Sequence, residues 1–327
     1  MTAADTSPFP RTEADLIRRG ACPVCSGAHR PETTVGDLEY VRCTKCGLTF
    51  MEPMPTQRWY DALYDADYWT GQAKECDGLE EVQRRLRKEH LRAVTYTRSL
   101  QLEGGLPVEG VLLEIGCGTG GVAASLAAHL KWSAVGVEPD LRSRKVATTI
   151  GVRTDSTALD DLIAAGEQFD LVVLSHVLEH VVDPDDFLRR ALRVLTESGA
   201  LLIEVPNGLT NASLHLFHPY LHTRRSLTTL LADHGLKADV TAHGGASSRL
   251  RRHYLLAVAR RSSRPVARRS SRPVVTFGRS IGRAWSRACK RSRVLRRLDV
   301  SLVRRSVRAD EGLLAQWSGL LDRTSEP

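Results

Sequence analysis

Three groups of residues in this 327-residue chain carry chemistry by their type and spacing. The first is a pair of C-x-x-C units, Cys22 with Cys25 and Cys43 with Cys46, separated as in a zinc ribbon. Each unit presents two thiolates to one tetrahedral ion, and Gly47 suits the positive φ that such turns need. Four thiolates leave no coordination position open, so the spacing predicts a structural zinc without catalytic duty. The second group is LEIGCGTGG, where Gly116, Gly118 and Gly120 let the backbone turn sharply and approach a ligand at a helix N-terminus. The third is HVLEH, His176 to His180, which spells H-x-x-E-H.

On a helix, H-x-x-E-H would hold zinc between two histidines with the glutamate as base. Here it follows directly on an apolar run, FDLVVLS, and Pro184 comes four residues later, which argues against a long helix. The stretch is instead predicted to be the loop at the C-terminal end of a strand, where open α/β sheets place their ligand crevice. A neutral imidazole there has a pKa suited to accepting a proton. His180 is the predicted general base and His222 the alternative. His222 belongs to VPNGLTNASLHLFHPYLHT, which also supplies Asn207, His215 and His218. The competing reading of each histidine is a residue that packs its loop.

The glycine loop alone is ambiguous, because Gly116, Gly118 and Gly121 also satisfy the G-x-G-x-x-G dinucleotide fingerprint. Glu114, two residues ahead, would repel a pyrophosphate and suits a ligand bearing an ammonium group. Glu138, ending AVGVEP, is placed to accept hydrogen bonds from ribose hydroxyls of either cofactor, and Asp155 to accept from an adenine amino group.

Positioning these groups requires a particular set of elements. From Gly110 the pattern alternates between apolar strands and helices, with strands at VLLEI, SAVGVE, FDLVVLS and ALLIEVP and a helix after each of the first three, which predicts a parallel α/β sheet. A helix at RRSLTTLLADHG, a weak strand near KADVTA and a closing strand at YLLAVARR follow. Ahead of the sheet, a charged helix from about Leu79 to Leu102 stops at GGLP, and the aromatics Trp59, Tyr60, Tyr64, Tyr68 and Trp69 pack the ribbon or form a lid. The expected division is a disordered segment 1–19, a zinc ribbon 20–55, a helical linker or lid 56–105, the sheet domain 106–260, an Arg/Ser/Pro linker 261–276 and a basic amphipathic helical tail 277–327.

From roughly Val111 to Arg260 the chain resembles the class I S-adenosylmethionine-dependent methyltransferases. LEIGCGTG looks like their first motif, VGVEP like their ribose-binding acid, and FDLVVLSHVLEHVVDP like their fourth strand and the loop after it. CPVC and RCTKCGLTFMEPMP look like the zinc-ribbon subgroup linked to sugar and secondary-metabolite tailoring. The resemblance implies a Rossmann-like α/β sheet of order 3-2-1-4-5-7-6 and S-adenosylmethionine held by Glu114, Gly116, Cys117, Gly118, Gly120, Glu138, Asp155, Ser175 and His176. It also implies methyl transfer to a hydroxyl of a small-molecule acceptor, a sugar or natural product. Transfer to carbon or nitrogen, RNA included, is the alternative, though the fourth strand ends in SHVL and not in the N/D-P-P-Y clamp of base N-methylation. The competing classes are an NAD-dependent oxidoreductase and a non-catalytic zinc-ribbon nucleic-acid-binding module.

The net charge of +8 is unevenly spread: between Arg260 and Ala309 stand 17 Arg or Lys against one Asp, so the rest of the chain is acidic. RRSSRPVARRSSRPVV reads as a repeat-built linker, and Phe277, Ile281, Trp285, Leu295, Leu298 and Leu302 share one helical face. Such a segment docks on the body or a second subunit, on an anionic membrane surface, or on RNA. Seven cysteines, four of them in close pairs, fit metal binding in a reducing compartment, and no apolar run or leader-like start is visible, so a cytoplasmic location is expected.

Overall fold

A computed structural model of the chain describes residues 9–10, 12–65, 78–154, 158–210, 213–244, 252–262 and 310–324. Asp155, Tyr68, Trp69, the arginine-rich repeat and the apolar face from Phe277 to Leu302 lie outside the described residues. Among the described residues no helix is long and apolar enough to cross a membrane.

The N-terminal part builds two small antiparallel sheets. Strand β1 (Leu16–Ile17) pairs with β5 (Met54–Pro55), while β2 (His29–Val35), β3 (Leu38–Cys43) and β4 (Thr49–Met51) form a meander. Helices α1 (Gln57–Asp65) and α2 (Leu79–Glu103) follow, and α2 stops at Gly104, whose φ of 67° only glycine adopts freely.

The central sheet is built from β6 (Val111–Ile115), α3 (Gly121–Leu130), β7 (Ser133–Val137), α4 (Leu141–Thr149), α5 (Leu159–Ala165), β8 (Phe169–Ser175), α6 (Pro184–Ala191) and β9 (Leu195–Pro206). It is completed by β10 (Tyr220–Leu221), α7 (Arg224–Asp233), β11 (Leu236–His243) and β12 (Tyr254–Arg261). Strand order across the six-stranded sheet is β11-β12-β9-β8-β6-β7, with β12 antiparallel to both neighbours and the others parallel. This is the expected order with one reduction: where a third strand should flank β7, a single bridge between Val135 and Arg153 stands in its place. Pro184 does stop the preceding turn, but it also opens α6 as its first residue, with the Asp183 carboxylate accepting from the Asp185 and Asp186 N–H groups.

The period of two along each strand sorts the core into two layers. Leu112, Ala134, Leu171, Val173, Leu202 and Val258 face α2, α3 and α4, while Leu113, Val135, Val172, Leu174, Ile203 and Ala257 face the opposite layer. The second layer runs without a break into the cysteine-bearing strands, because β10 pairs with β4 and adds a fourth strand to the meander. Residues 20–55 and the sheet domain therefore share both a sheet and a core.

The last helix, α8 (Glu311–Thr324), lies on α2. Trp317 and Leu321 are buried there, Arg87 makes a two-pronged ion pair with Glu311 at 2.6 and 2.8 Å, and the Asp310 N–H donates to Nε2 of His90 at 2.8 Å.

Candidate active site

The glycine loop joins β6 to α3. Gly118 has a φ of 52°, and this left-handed conformation aims its N–H at Glu138 Oε2, 2.9 Å away at the end of β7. The other carboxylate oxygen accepts from the Asp140 N–H at 2.9 Å. Burial raises the Glu138 carboxyl above its ordinary pKa. Glycine is needed beside the loop as well, since a Cβ on Gly136 would stand 2.5 Å from the Cys117 sulfur. The Cys117 side chain is thus packed against β7, and only its backbone belongs to the loop. Gly120 similarly fits against α4, where a Cβ would stand 2.7 Å from that of Ala147.

Glu114 is not turned toward a ligand. It is buried and accepts from the Ala123 N–H at 2.9 Å, which caps the first turn of α3 from below. Burial first, and then the neighbouring Glu89 carboxylate, push its carboxyl well above the usual range. An acid does cover the loop from above, but it comes from α2. Glu89 accepts from Thr119 Oγ1 at 2.6 Å and from the Gly121 N–H at 3.0 Å, and Arg85 holds its other oxygen at 2.9 Å. Sequence reading missed this contribution of α2. The available signal was a polar stripe of Arg85, Glu89, Arg92 and Tyr96 at helical spacing, next to the apolar positions Val82, Leu86, Ala93 and Leu100 that pack the core.

Beyond β8 the same stripe continues. Tyr96 Oη lies 2.8 Å from Ser175 Oγ, and Arg92 pairs with the buried Glu204 of β9 at 3.2 Å. His176, with a φ of 59°, bridges Glu204 and Glu179 at 2.9 Å on its two ring nitrogens, and His243 reaches the second oxygen of Glu204 at 2.9 Å. Burial disfavours charge on His176, yet the Glu179 and Glu204 carboxylates hold its pKa up to about 9. At neutral pH it is an imidazolium between two carboxylates and has no lone pair with which to take a proton.

HVLEH is a turn, as expected, with the His180 N–H donating to the Val177 carbonyl. His180 is half-buried beside the loop that carries His215 and His218; ring centroids are 4.7 Å apart for His180 and His218, and 3.8 Å for His215 and His218. His222 is elsewhere. It is fully buried behind β10, its Nδ1 is 3.4 Å from Ser226 Oγ, and burial lowers its pKa to about 4. The structure leaves His180 partly exposed and buries the alternative base, His222, completely. Asn207 is likewise structural, its side chain donating to the Arg252 carbonyl and accepting from the Leu209 N–H.

The four cysteines converge at the other end of this layer. Cys22 Sγ is 3.6 Å from Cys46 Sγ, and Cys25 Sγ is 3.4 Å from Cys43 Sγ. A disulfide would need about 2.05 Å. Sulfurs bound at roughly 2.3 Å around a tetrahedral ion sit about 3.8 Å apart, close to what is found.

A glycine loop at the head of a doubly wound sheet, faced by an acid at the end of the next strand, defines a nucleoside-cofactor domain with an antiparallel seventh position. Residues 79–241 match the family model described as a methyltransferase domain, and the sheet around them has the Rossmann-like strand order of the class I methyltransferase fold. Among curated proteins it is similar to a ubiquinone biosynthesis O-methyltransferase of Cereibacter sphaeroides (strain ATCC 17025 / ATH 2.4.3), 40% identical over 111 residues, 31% of this chain and 43% of the relative. A protein of the same name from Rhizobium etli is 32% identical over 114 residues, 33% of this chain and 46% of the relative. The chain thus spans less than half the length of these relatives. Solved structures similar to it include an O-methyltransferase family protein from Burkholderia thailandensis, at TM-score 0.46 and 18% identity over 58% of this chain and 61% of that one. Another is an S-adenosylmethionine-dependent methyltransferase from Clostridium acetobutylicum ATCC 824, at TM-score 0.42 and 11% identity over 62% and 99%.

Proposed function

We propose that the protein transfers the methyl group of S-adenosylmethionine to a hydroxyl oxygen of a small-molecule acceptor, a sugar or secondary-metabolite scaffold. The observation that carries this reading is Glu138, whose carboxylate faces the glycine loop within hydrogen-bond reach of Gly118, where ribose hydroxyls need an acceptor. The cofactor supplies an electrophilic methyl on a sulfonium. Glu138 and the loop orient it, with Ser175 at the end of β8 beside it, and Asp155 is assigned to the adenine amino group. Hydroxyl chemistry is supported by the names of the curated relatives, which are O-methyltransferases.

As the new O–C bond forms and the S–C bond breaks, the hydroxyl proton must leave. His176 is already protonated and His222 is sealed, so the groups left at the mouth are His180 and its neighbours His215 and His218. Two roles for His180 suit this geometry: taking the proton itself, or holding an ion that makes the proton leave more readily.

We also assign a zinc ion to Cys22, Cys25, Cys43 and Cys46. The sulfur spacing fits, and the Lys45 and Cys46 N–H groups point at Cys43 Sγ at 3.3 Å, as donors to a thiolate do.

Calorimetric titration with S-adenosylhomocysteine and with NAD tests the cofactor. Binding of the first alone is expected, weakened about 10- to 100-fold in Glu138→Ala by loss of charge-assisted hydrogen bonds. Binding of NAD alone would overturn the assignment.

A further inference from the structure

Two histidines near the crevice are fixed in the tautomer that a metal ion requires. His180 Nδ1 is 2.5 Å from the Phe217 carbonyl oxygen, and His218 Nδ1 is 2.9 Å from that of Ser213. A carbonyl oxygen only accepts, so each Nδ1 carries the proton and donates it, and each Nε2 is left with its lone pair. This is the arrangement by which metal-bound histidines are usually oriented.

Between them stands Glu179, fully buried. Its Oε1 is engaged by His176 at 2.9 Å, but Oε2 is buried and has no hydrogen-bond partner among the described residues. A buried carboxylate oxygen without a donor is costly. Neither neighbouring imidazole has an N–H left to give it, because both protons go to backbone carbonyls. One ligand atom from each of Glu179, His180 and His218 lies within 4.8 Å of the other two.

We propose that Glu179, His180 and His218 form a second metal site, which takes a divalent first-row transition ion and leaves coordination positions open toward the crevice. Two imidazole nitrogens and one carboxylate oxygen suit Zn, Fe or Co better than Mg or Ca, which prefer all-oxygen shells. The partly exposed His180 and His218 leave one side of the cluster accessible, unlike the sealed four-sulfur cluster. Resting on the methyl-transfer reading, the ion would bind the acceptor hydroxyl and lower its pKa, making His180 a ligand instead of a base. Metal binding itself does not depend on that reading.

The test is metal analysis of the full-length protein after dialysis against excess Co2+. About two ions per chain are expected in the wild type and about one in His218→Ala and in Glu179→Gln. The thiolate-to-cobalt absorption of the cysteine cluster should be unchanged in His218→Ala, which shows that the variant is folded, while the absorption of the second, sulfur-free cobalt disappears. One ion in the wild type, or two in a folded His218→Ala, overturns the proposal. Parallel titration with S-adenosylhomocysteine separates the two readings: binding with only one metal sinks the second site alone, and two metals without binding sink the cofactor assignment alone.

Discussion

The cysteine cluster and the Glu179–His180–His218 group both bring metal-ligating side chains together, yet they are built in opposite ways. The cysteines come from two short turns in one stretch of chain, are buried together, and offer four identical soft ligands. The second group draws on the end of β8 and on a loop beyond β9, mixes oxygen with nitrogen, and keeps two members partly exposed. A closed shell of like ligands contributes folding energy, whereas an incomplete mixed shell leaves room for a substrate.

The two are also connected, mainly through donors from the N-terminal part. Tyr40 of β3 donates to the His215 carbonyl at 2.9 Å, Tyr60 of α1 to the Leu216 carbonyl at 2.7 Å, and the Met51 N–H to the Pro219 carbonyl at 2.9 Å. Thr223 donates to the Cys46 carbonyl at 2.8 Å. The histidine loop thus accepts three of these bonds from β3, β4 and α1, and the chain after it returns one, to Cys46.

The largest effect expected from this connection is that of Cys43→Ser. Metal-coupled folding of such sites is worth on the order of 10 kcal/mol, so residues 20–55 should lose protease resistance. His180 should then lose its order with them, which limited proteolysis and cobalt analysis together would detect. His180→Ala should leave the cysteine cluster and S-adenosylhomocysteine affinity intact while turnover falls about 100-fold or more, as measured by methyl transfer to an identified acceptor. Tyr40→Phe removes one link between the regions. It should cost about 1 kcal/mol of stability and weaken cobalt binding at the histidine group several-fold, with the thiolate absorption unchanged. An equal loss at both clusters would contradict a link that acts mainly on the histidine loop.

The smallest effect is a pH control distant from both. Burial lowers the pKa of His90, which accepts the Asp310 N–H at the start of α8. The unfolded chain therefore binds more protons than the folded one below about pH 6.5, and this contribution, present above that pH, is lost as pH falls through it. Hydrogen exchange in Glu311–Thr324 should accelerate between pH 7 and 5, while the cysteine-bearing strands stay protected.

Much of this was legible before any coordinates. The apolar strands, the glycine loop, Glu138 and the paired cysteines depend on local spacing, and local spacing is what a sequence displays. KADVTA looked weak because an antiparallel strand with one covered face alternates, yet it forms a full strand against β12. What stayed hidden depends on contacts between different elements, from the 28 residues between His176 and Glu204 to the 175 between Tyr40 and His215. Nothing in LHLFHPYLH says that Tyr40 will hold it, and nothing in HVLEH says that His176 will be charged by Glu204. Glu114 fooled simple reading because its position beside the loop is right but its side chain serves α3. HVLEH is a turn and not a stretch of helix, and the third member of its candidate metal cluster, His218, comes from another element and not from a second turn of helix.

The docking of α8 has a topological consequence for the most basic part of the chain. Ser262, just past β12, is bonded to the Gly235 carbonyl, and Asp310 is held by His90, so the chain is anchored on the body on both sides of the arginine-rich stretch. A single proteolytic cut between Ser262 and Asp310 would leave α8 held by non-covalent contacts, among them its ion pair, the Asp310–His90 hydrogen bond and its buried Trp317 and Leu321. Docking would then become a bimolecular equilibrium, and α2, the helix that supplies Arg85 and Glu89 to the glycine loop, would be uncovered upon dilution.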